Sequence, residues 1–125
     1  MENRILLDTN ALLRYLLRDD ETQYQMVTGI ASSYDCVVLG NVLQETVYVL
    51  EGFYRVSRDV IREKIDAVLD FFIFPDKEII SSAMEYYCRS PKLDYVDCLL
   101  LAYYSCEGID FFSFDKKLNK VKDSL

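Results

Sequence analysis

Residues 4–17 read RILLDTNALLRYLL, and this stretch decides the fold class. A run of branched and leucine residues ends at Asp8 and predicts a buried strand over Arg4–Asp8. The apolar positions that follow have the spacing of one helix face and predict a helix over Asn10–Leu17. A buried strand that leads directly into a helix is typical of a parallel sheet covered by helices.

The rest of the chain repeats this alternation. Further strands are predicted over Cys36–Leu39 and Ile109–Phe114, with Ile73–Phe74 as a possible short addition. Helices are predicted over Glu21–Ser33, Val42–Phe53, Ser57 (as N-cap) to Phe72, Pro75 to Arg89, Leu93–Glu107 (closed by Gly108) and Lys116–Val121. Apolar strands separated by helices predict one α/β domain over residues 1–125 with a parallel sheet.

The amino-acid composition excludes several kinds of catalytic site. The 125 residues include no histidine, and the four cysteines form no C-x-x-C pair. Ser–His–Asp and Cys–His catalytic groups are therefore excluded and zinc sites disfavoured, so the cysteines are expected to be buried, reduced thiols. No signal peptide or membrane span is predicted, and we expect a soluble, cytoplasmic protein. The net charge of −7 argues against broad nucleic-acid binding but does not exclude a nuclease with an acidic site.

Five acidic residues occur at the ends or beginnings of predicted elements. Asp8 and Asp115 follow strands, Glu45 lies early in the helix after the second strand, and Asp94 and Asp97 share one helix face. Ligand sites in open parallel sheets form beyond the carboxyl ends of the strands, so these acids are expected to converge. Clustered carboxylates repel one another unless a cation such as Mg²⁺ or Mn²⁺ binds them.

Each acid also has a purely structural interpretation. Asp8 and Asp115 are suitable N-caps for the helices that follow them. Asp94 and Asp97 would complement the dipole of their helix, and Glu45 would be an ordinary solvated helix residue.

Four segments together resemble the PIN domain family. They are residues 5–16 (ILLDTNALLRYL), 42–50 (VLQETVYVL), 93–102 (LDYVDCLLLA) and 111–118 (FFSFDKKL). They occur in family order and at family-like spacing. The resemblance implies a three-layer α/β/α domain with a central parallel sheet, Mg²⁺ or Mn²⁺ dependence and RNA cleavage. It further implies that the metal ligands and catalytic residues are Asp8, Glu45 and Asp97, completed by Asp115.

The resemblance also implies secondary roles. Asp94, one turn before Asp97, would be an additional ligand. The residues that would orient the acids are Thr9, Asn10 and Ser113. The chain looks most like the VapC-type toxins of type II toxin–antitoxin pairs, which implies a homodimer inhibited by a cognate antitoxin protein. Alternatives are a stand-alone PIN ribonuclease and a non-catalytic binding module; a haloacid-dehalogenase-like phosphatase would need a second Asp where Asn10 stands.

No substrate-binding residue follows from the sequence. The lysines after Asp115 have two interpretations, as contacts for RNA phosphates or as the solvated face of a terminal helix; they are Lys116, Lys117, Lys120 and Lys122.

Overall fold

The structure is a computed structural model that describes residues 3–125. Over these residues the chain forms two strands and seven α-helices, in the order β1 (Arg4–Leu6), α1 (Thr9–Leu17), α2 (Glu21–Ser33), β2 (Asp35–Val37), α3 (Gly40–Gly52), α4 (Arg58–Leu69), α5 (Lys77–Arg89), α6 (Tyr95–Glu107) and α7 (Lys116–Asp123). The chain divides into two compact units, one ending at Pro75 and the other spanning Asp76–Leu125. The single domain over residues 1–125 stays a prediction.

The first unit contains a small parallel sheet. β1 pairs with β2 in the register Arg4↔Asp35 to Leu6↔Val37, and the Leu7 N–H extends the ladder to the carbonyl of Val37 at 3.0 Å. A parallel bridge joins Val37 to Ile73, so the weakly marked segment at Ile73 does add a short third member to the ladder. The α/β class with a parallel sheet is confirmed.

In the first unit α1, α3 and α4 each bury one face of the helix. α1 packs against α2 and α3, and α3 packs against α4. Leu12, Leu43 and Ile65 are completely buried. Ser57 caps α4 as predicted, because its hydroxyl accepts the Val60 N–H.

The second unit is built on an α5–α6 pair. Tyr87 of α5 meets Tyr95 of α6 edge to face, with ring centroids 6.2 Å apart. Gly108 ends α6 in the left-handed region at φ 67°, as predicted for a C-terminal glycine. Asp76 also has positive φ, so α5 begins at Lys77 and not at the predicted Pro75.

The predicted strand over Ile109–Phe114 is wrong. None of these residues joins a ladder within the described part of the chain. Phe112 and Phe114 are 82% and 89% exposed, the opposite of a buried strand. Side chains and not a neighbouring strand supply the local hydrogen bonds: the Asp110 carboxylate accepts the Phe111 N–H, and the Lys122 ammonium donates to the Phe111 carbonyl. An apolar run becomes a strand only where another strand offers it backbone partners.

Two further expectations have a structural outcome. Between residues 3 and 125 no disulfide joins the cysteines, but only Cys36 and Cys98 are buried, while Cys106 is exposed. No helix in this range is both long enough and apolar enough to cross a bilayer.

Hydrogen exchange tests whether the Ile109–Phe114 segment is a strand. We expect the Phe112 amide to exchange rapidly, because no backbone carbonyl protects it. The Val38 amide, which donates to the Ile73 carbonyl at 2.9 Å, should exchange much more slowly and serves as the internal control. Equal protection of Phe112 and Val38, measured by amide exchange in NMR spectra, would restore the strand.

Candidate acidic site

Asp8 is the N-cap of α1. Its Oδ1 accepts the Ala11 N–H at 2.8 Å, and its backbone is extended. Because β1 ends two residues earlier, Asp8 lies at the strand-to-helix junction that the sequence predicts. The structural interpretation of Asp8 as a cap is therefore confirmed, and Oδ2 accepts no hydrogen bond from any residue in the range 3–125.

A cleft of about 260 Å³ opens beside Asp8 in the first unit. Asn10, Arg14 and Gln23 provide its polar lining. Arg14 donates to the Tyr54 hydroxyl and to Asp19, both at 2.8 Å, and these partners raise the pKa of its guanidinium. Arg14 was not predicted from the sequence, since its partner Tyr54 is 40 residues away along the chain.

Glu45 lies on α3 in the same unit and is exposed. Its side chain forms no hydrogen bond or ion pair with any described residue. Its neighbour Thr46 is fully buried and donates its hydroxyl proton to the Val42 carbonyl, so the buried face of α3 is turned away from Glu45. The carboxylate is thus available to a ligand.

Asp94 and Asp97 form a capping box at the start of α6. Asp94 Oδ1 accepts the Asp97 N–H at 2.8 Å, and Asp97 Oδ2 accepts the Asp94 N–H at 3.2 Å. The reciprocal bonds hold the two carboxylates in fixed positions in the first turn. Each carboxylate keeps one oxygen that no described residue hydrogen-bonds.

Asp97 is partly buried and lies near two other carboxylates. Its partial burial raises the pKa of its carboxyl, and the negative charges of Asp94 and Asp115 raise it further, while the bond from the Asp94 amide acts in the opposite direction. The negative charges of Asp94 and Asp115 therefore each repel that of Asp97. A cation would relieve this repulsion.

Asp115 begins α7 in the same manner as Asp8 begins α1. Its Oδ1 accepts the amides of Lys117 and Leu118 at 2.9 and 3.2 Å. The Ser113 hydroxyl in turn accepts the Asp115 N–H at 3.0 Å, which fixes the turn before the helix. Thr9 and Asn10 show no side-chain hydrogen bond to a described residue, and the orienting role remains a prediction for Thr9, Asn10 and Ser113.

The donor set has the chemistry of a magnesium or manganese site. The uncommitted atoms are carboxylate oxygens, the ligands that these hard cations prefer. Within neither unit, over residues 3–125, do three or more acidic or cysteine side chains gather closely enough to hold a metal on their own. Asp8 and Glu45 belong to the first unit, and the other three acids to the second.

Comparison with known families identifies the chain. Residues 5–124 match the PIN domain. The chain belongs to the PIN domain family. PIN domains are generally nucleases that use divalent metal ions, and a PIN nuclease binds RNA. No curated protein and no solved structure is significantly similar to this PIN domain.

The cap function of Asp94 can be separated from any ligand function. Asp94→Ala removes the acceptor for the Asp97 amide and should lower the free energy of unfolding by about 1 kcal/mol. Asp94→Asn keeps an oxygen acceptor and should unfold close to wild type in a urea titration. If the Asn variant were as destabilised as the Ala variant, the capping box would not be the stabilising contact.

Proposed function

We propose that this PIN domain is a Mg²⁺- or Mn²⁺-dependent endoribonuclease. Asp8, Glu45 and Asp97 would be the principal metal ligands, and Asp115 would complete the site. One observation carries the proposal: the family match extends over residues 5–124, and the chain has an acid at each of these four positions. Asp94 would be an additional ligand.

The local geometry of the acids supports this assignment. In Asp8, Asp97 and Asp115 one oxygen is held by a backbone amide while the other is uncommitted among residues 3–125. Such a carboxylate is already oriented, so it loses little side-chain entropy when it binds a cation. Ser113 would support Asp115 through the turn, and Thr9 and Asn10 would do so for Asp8.

The chain requires no covalent nucleophile for this reaction. A divalent cation held by the carboxylates of Asp8, Glu45, Asp97 and Asp115 would supply an activated water and neutralise charge that develops on the phosphodiester. The guanidinium of Arg14, which is paired with Asp19, lines the cleft beside Asp8 and would be within reach of an anion bound there.

We further propose that the enzyme is a VapC-type toxin. It would act in the cytoplasm as a homodimer and be inhibited by a cognate antitoxin protein. The resemblance of the four segments supports this, and stand-alone PIN ribonucleases share them. A short reading frame beside this one in the genome, whose product binds the protein and blocks cleavage, separates the toxin from a stand-alone enzyme.

Cleavage assays test the reaction. We expect the protein to cut single-stranded RNA with Mg²⁺ or Mn²⁺, and the activity to vanish with a chelator. Asp97→Asn should reduce the rate more than about a hundredfold, because even groups that only support a metal ligand cost about 10–100-fold when removed.

Asp20→Asn is a matched control for that assay. Asp20 caps α2 as Asp8 caps α1, through a 3.0 Å bond from the Gln23 amide, but it is not in the proposed site. The substitution removes the same charge and should leave the rate unchanged. A tight RNA complex that forms without metal and is never cleaved would instead favour a binding module.

Metal titration tests the proposed ligand set. Asp8→Asn and Asp97→Asn should each remove the same high-affinity Mn²⁺ binding event in calorimetry, since each loses a ligand of one site. Asp20→Asn should bind Mn²⁺ as wild type does. Retention of full Mn²⁺ affinity in either site variant would contradict the proposed ligand set.

A further inference from the structure

A second cleft, of about 320 Å³, lies in the second unit between the loop before α6 and the outer face of α7. Lys92 lines it from the loop, and Lys117 and Lys120 line it from the helix. Its remaining lining includes the apolar side chains of Leu93 and Val121. The cleft thus combines an apolar wall with three positive charges from two elements.

Within residues 3–125 the three ammonium groups have no side-chain partner. Neither Lys92, Lys117 nor Lys120 forms a side-chain hydrogen bond or ion pair with any residue between 3 and 125. Lysines from two elements thus place three positive charges around one cleft in a chain of net charge −7. An anionic ligand would be attracted to this cleft.

The structure separates the four α7 lysines that the sequence could not distinguish. Lys117 and Lys120 are three residues apart and share the face that lines the cleft. The ammonium of Lys122 instead binds Asp110 at 2.6 Å and the Phe111 carbonyl at 3.0 Å. Lys116 is exposed and does not line the cleft.

The position of the cleft indicates the class of anion. Leu93 immediately precedes Asp94, and Lys117 follows Asp115 by two residues, so the lysines lie beside the first turns that carry the acids. A nucleic-acid strand offers phosphates to lysines and, through a metal ion, to carboxylates. An acidic peptide would also bind the lysines, but nothing in the chemistry of a peptide requires the acidic residues that lie beside them.

We propose that Lys92, Lys117 and Lys120 form a subsite for the backbone phosphates of the RNA substrate. This assignment rests on the proposed ribonuclease function and adds to it the residues that hold the strand. The apolar wall accommodates the sugar and the base edge of the bound nucleotide. Because the subsite contacts phosphates, it contributes affinity without base preference.

Salt-dependent binding tests the subsite. The dissociation constant of a short fluorescent single-stranded RNA is measured by anisotropy in chelator at several salt concentrations. Lys92→Gln, Lys117→Gln and Lys120→Gln should each weaken binding severalfold and reduce the slope of log K against log salt by about 0.7. The triple variant should lose about 2 in slope, on the same basis of one released counterion per phosphate contact.

Lys116→Gln is the matched control. It removes the same charge from the neighbouring position of the same helix, outside the cleft. We expect its slope and affinity to equal those of wild type, with unchanged thermal melting for every variant. Equal losses in Lys116→Gln and Lys117→Gln would overturn the subsite, because diffuse attraction and not the cleft would then bind RNA.

Two further measurements keep this proposal separate from the ribonuclease assignment. Wild-type cleavage of the same RNA with Mn²⁺, together with equal slopes for all four lysine variants, would refute the subsite and leave the enzyme intact. Cleft-specific slope losses without any cleavage would support the subsite and refute the nuclease. The proposal would also be overturned if the binding of a polyglutamate peptide depended on the three lysines while the binding of RNA did not.

Discussion

Hydrogen bonds from the first amides of three helices to aspartate side chains fix the positions of most of the candidate acids. Asp8, Asp94 and Asp115 each begin a helix in this way. The unpaired amides and the positive end of the helix dipole offset the negative charge of each carboxylate. The fold therefore tolerates these acids, and the cap interpretation does not compete with a ligand role, because a cap uses one oxygen and orients the other.

At Asp97 the helix amides and the helix dipole do not fully offset the negative charge of the carboxylate. It is partly buried, and two neighbouring carboxylates raise its pKa. The shortage of positive charge around Asp97 is local, and so is the concentration of positive charge at the second cleft, which is lined by Lys92, Lys117 and Lys120. The net charge of the chain describes neither region, since the field near a surface is set by a few neighbouring groups and is screened beyond about 10 Å. An acidic chain is thus compatible with binding a polyanion.

The helices were largely predictable from the sequence. Glu21–Ser33 agrees at both ends, and Ser57 and Gly108 have the predicted cap positions. The strand predictions were less accurate, because β1 and β2 each span three residues and Ile109–Phe114 is no strand. The acidic residues of the candidate site were named from the sequence alone. Arg14 and Lys92 were not named, because Arg14 is distinguished by a partner far along the chain and Lys92 by the cleft that it lines.

The sequence by itself determined the order of the helices, the caps at Ser57 and Gly108 and membership of the PIN family, since these depend on residues a few positions apart or on short motifs in order. Only the tertiary structure decided that Asp35–Val37 pairs with Arg4–Leu6 and Ile73, and that Lys117 and Lys120, but not Lys116 or Lys122, line a cleft. A ladder or a cleft needs partners brought together from distant parts of the chain. No local pattern specifies those partners.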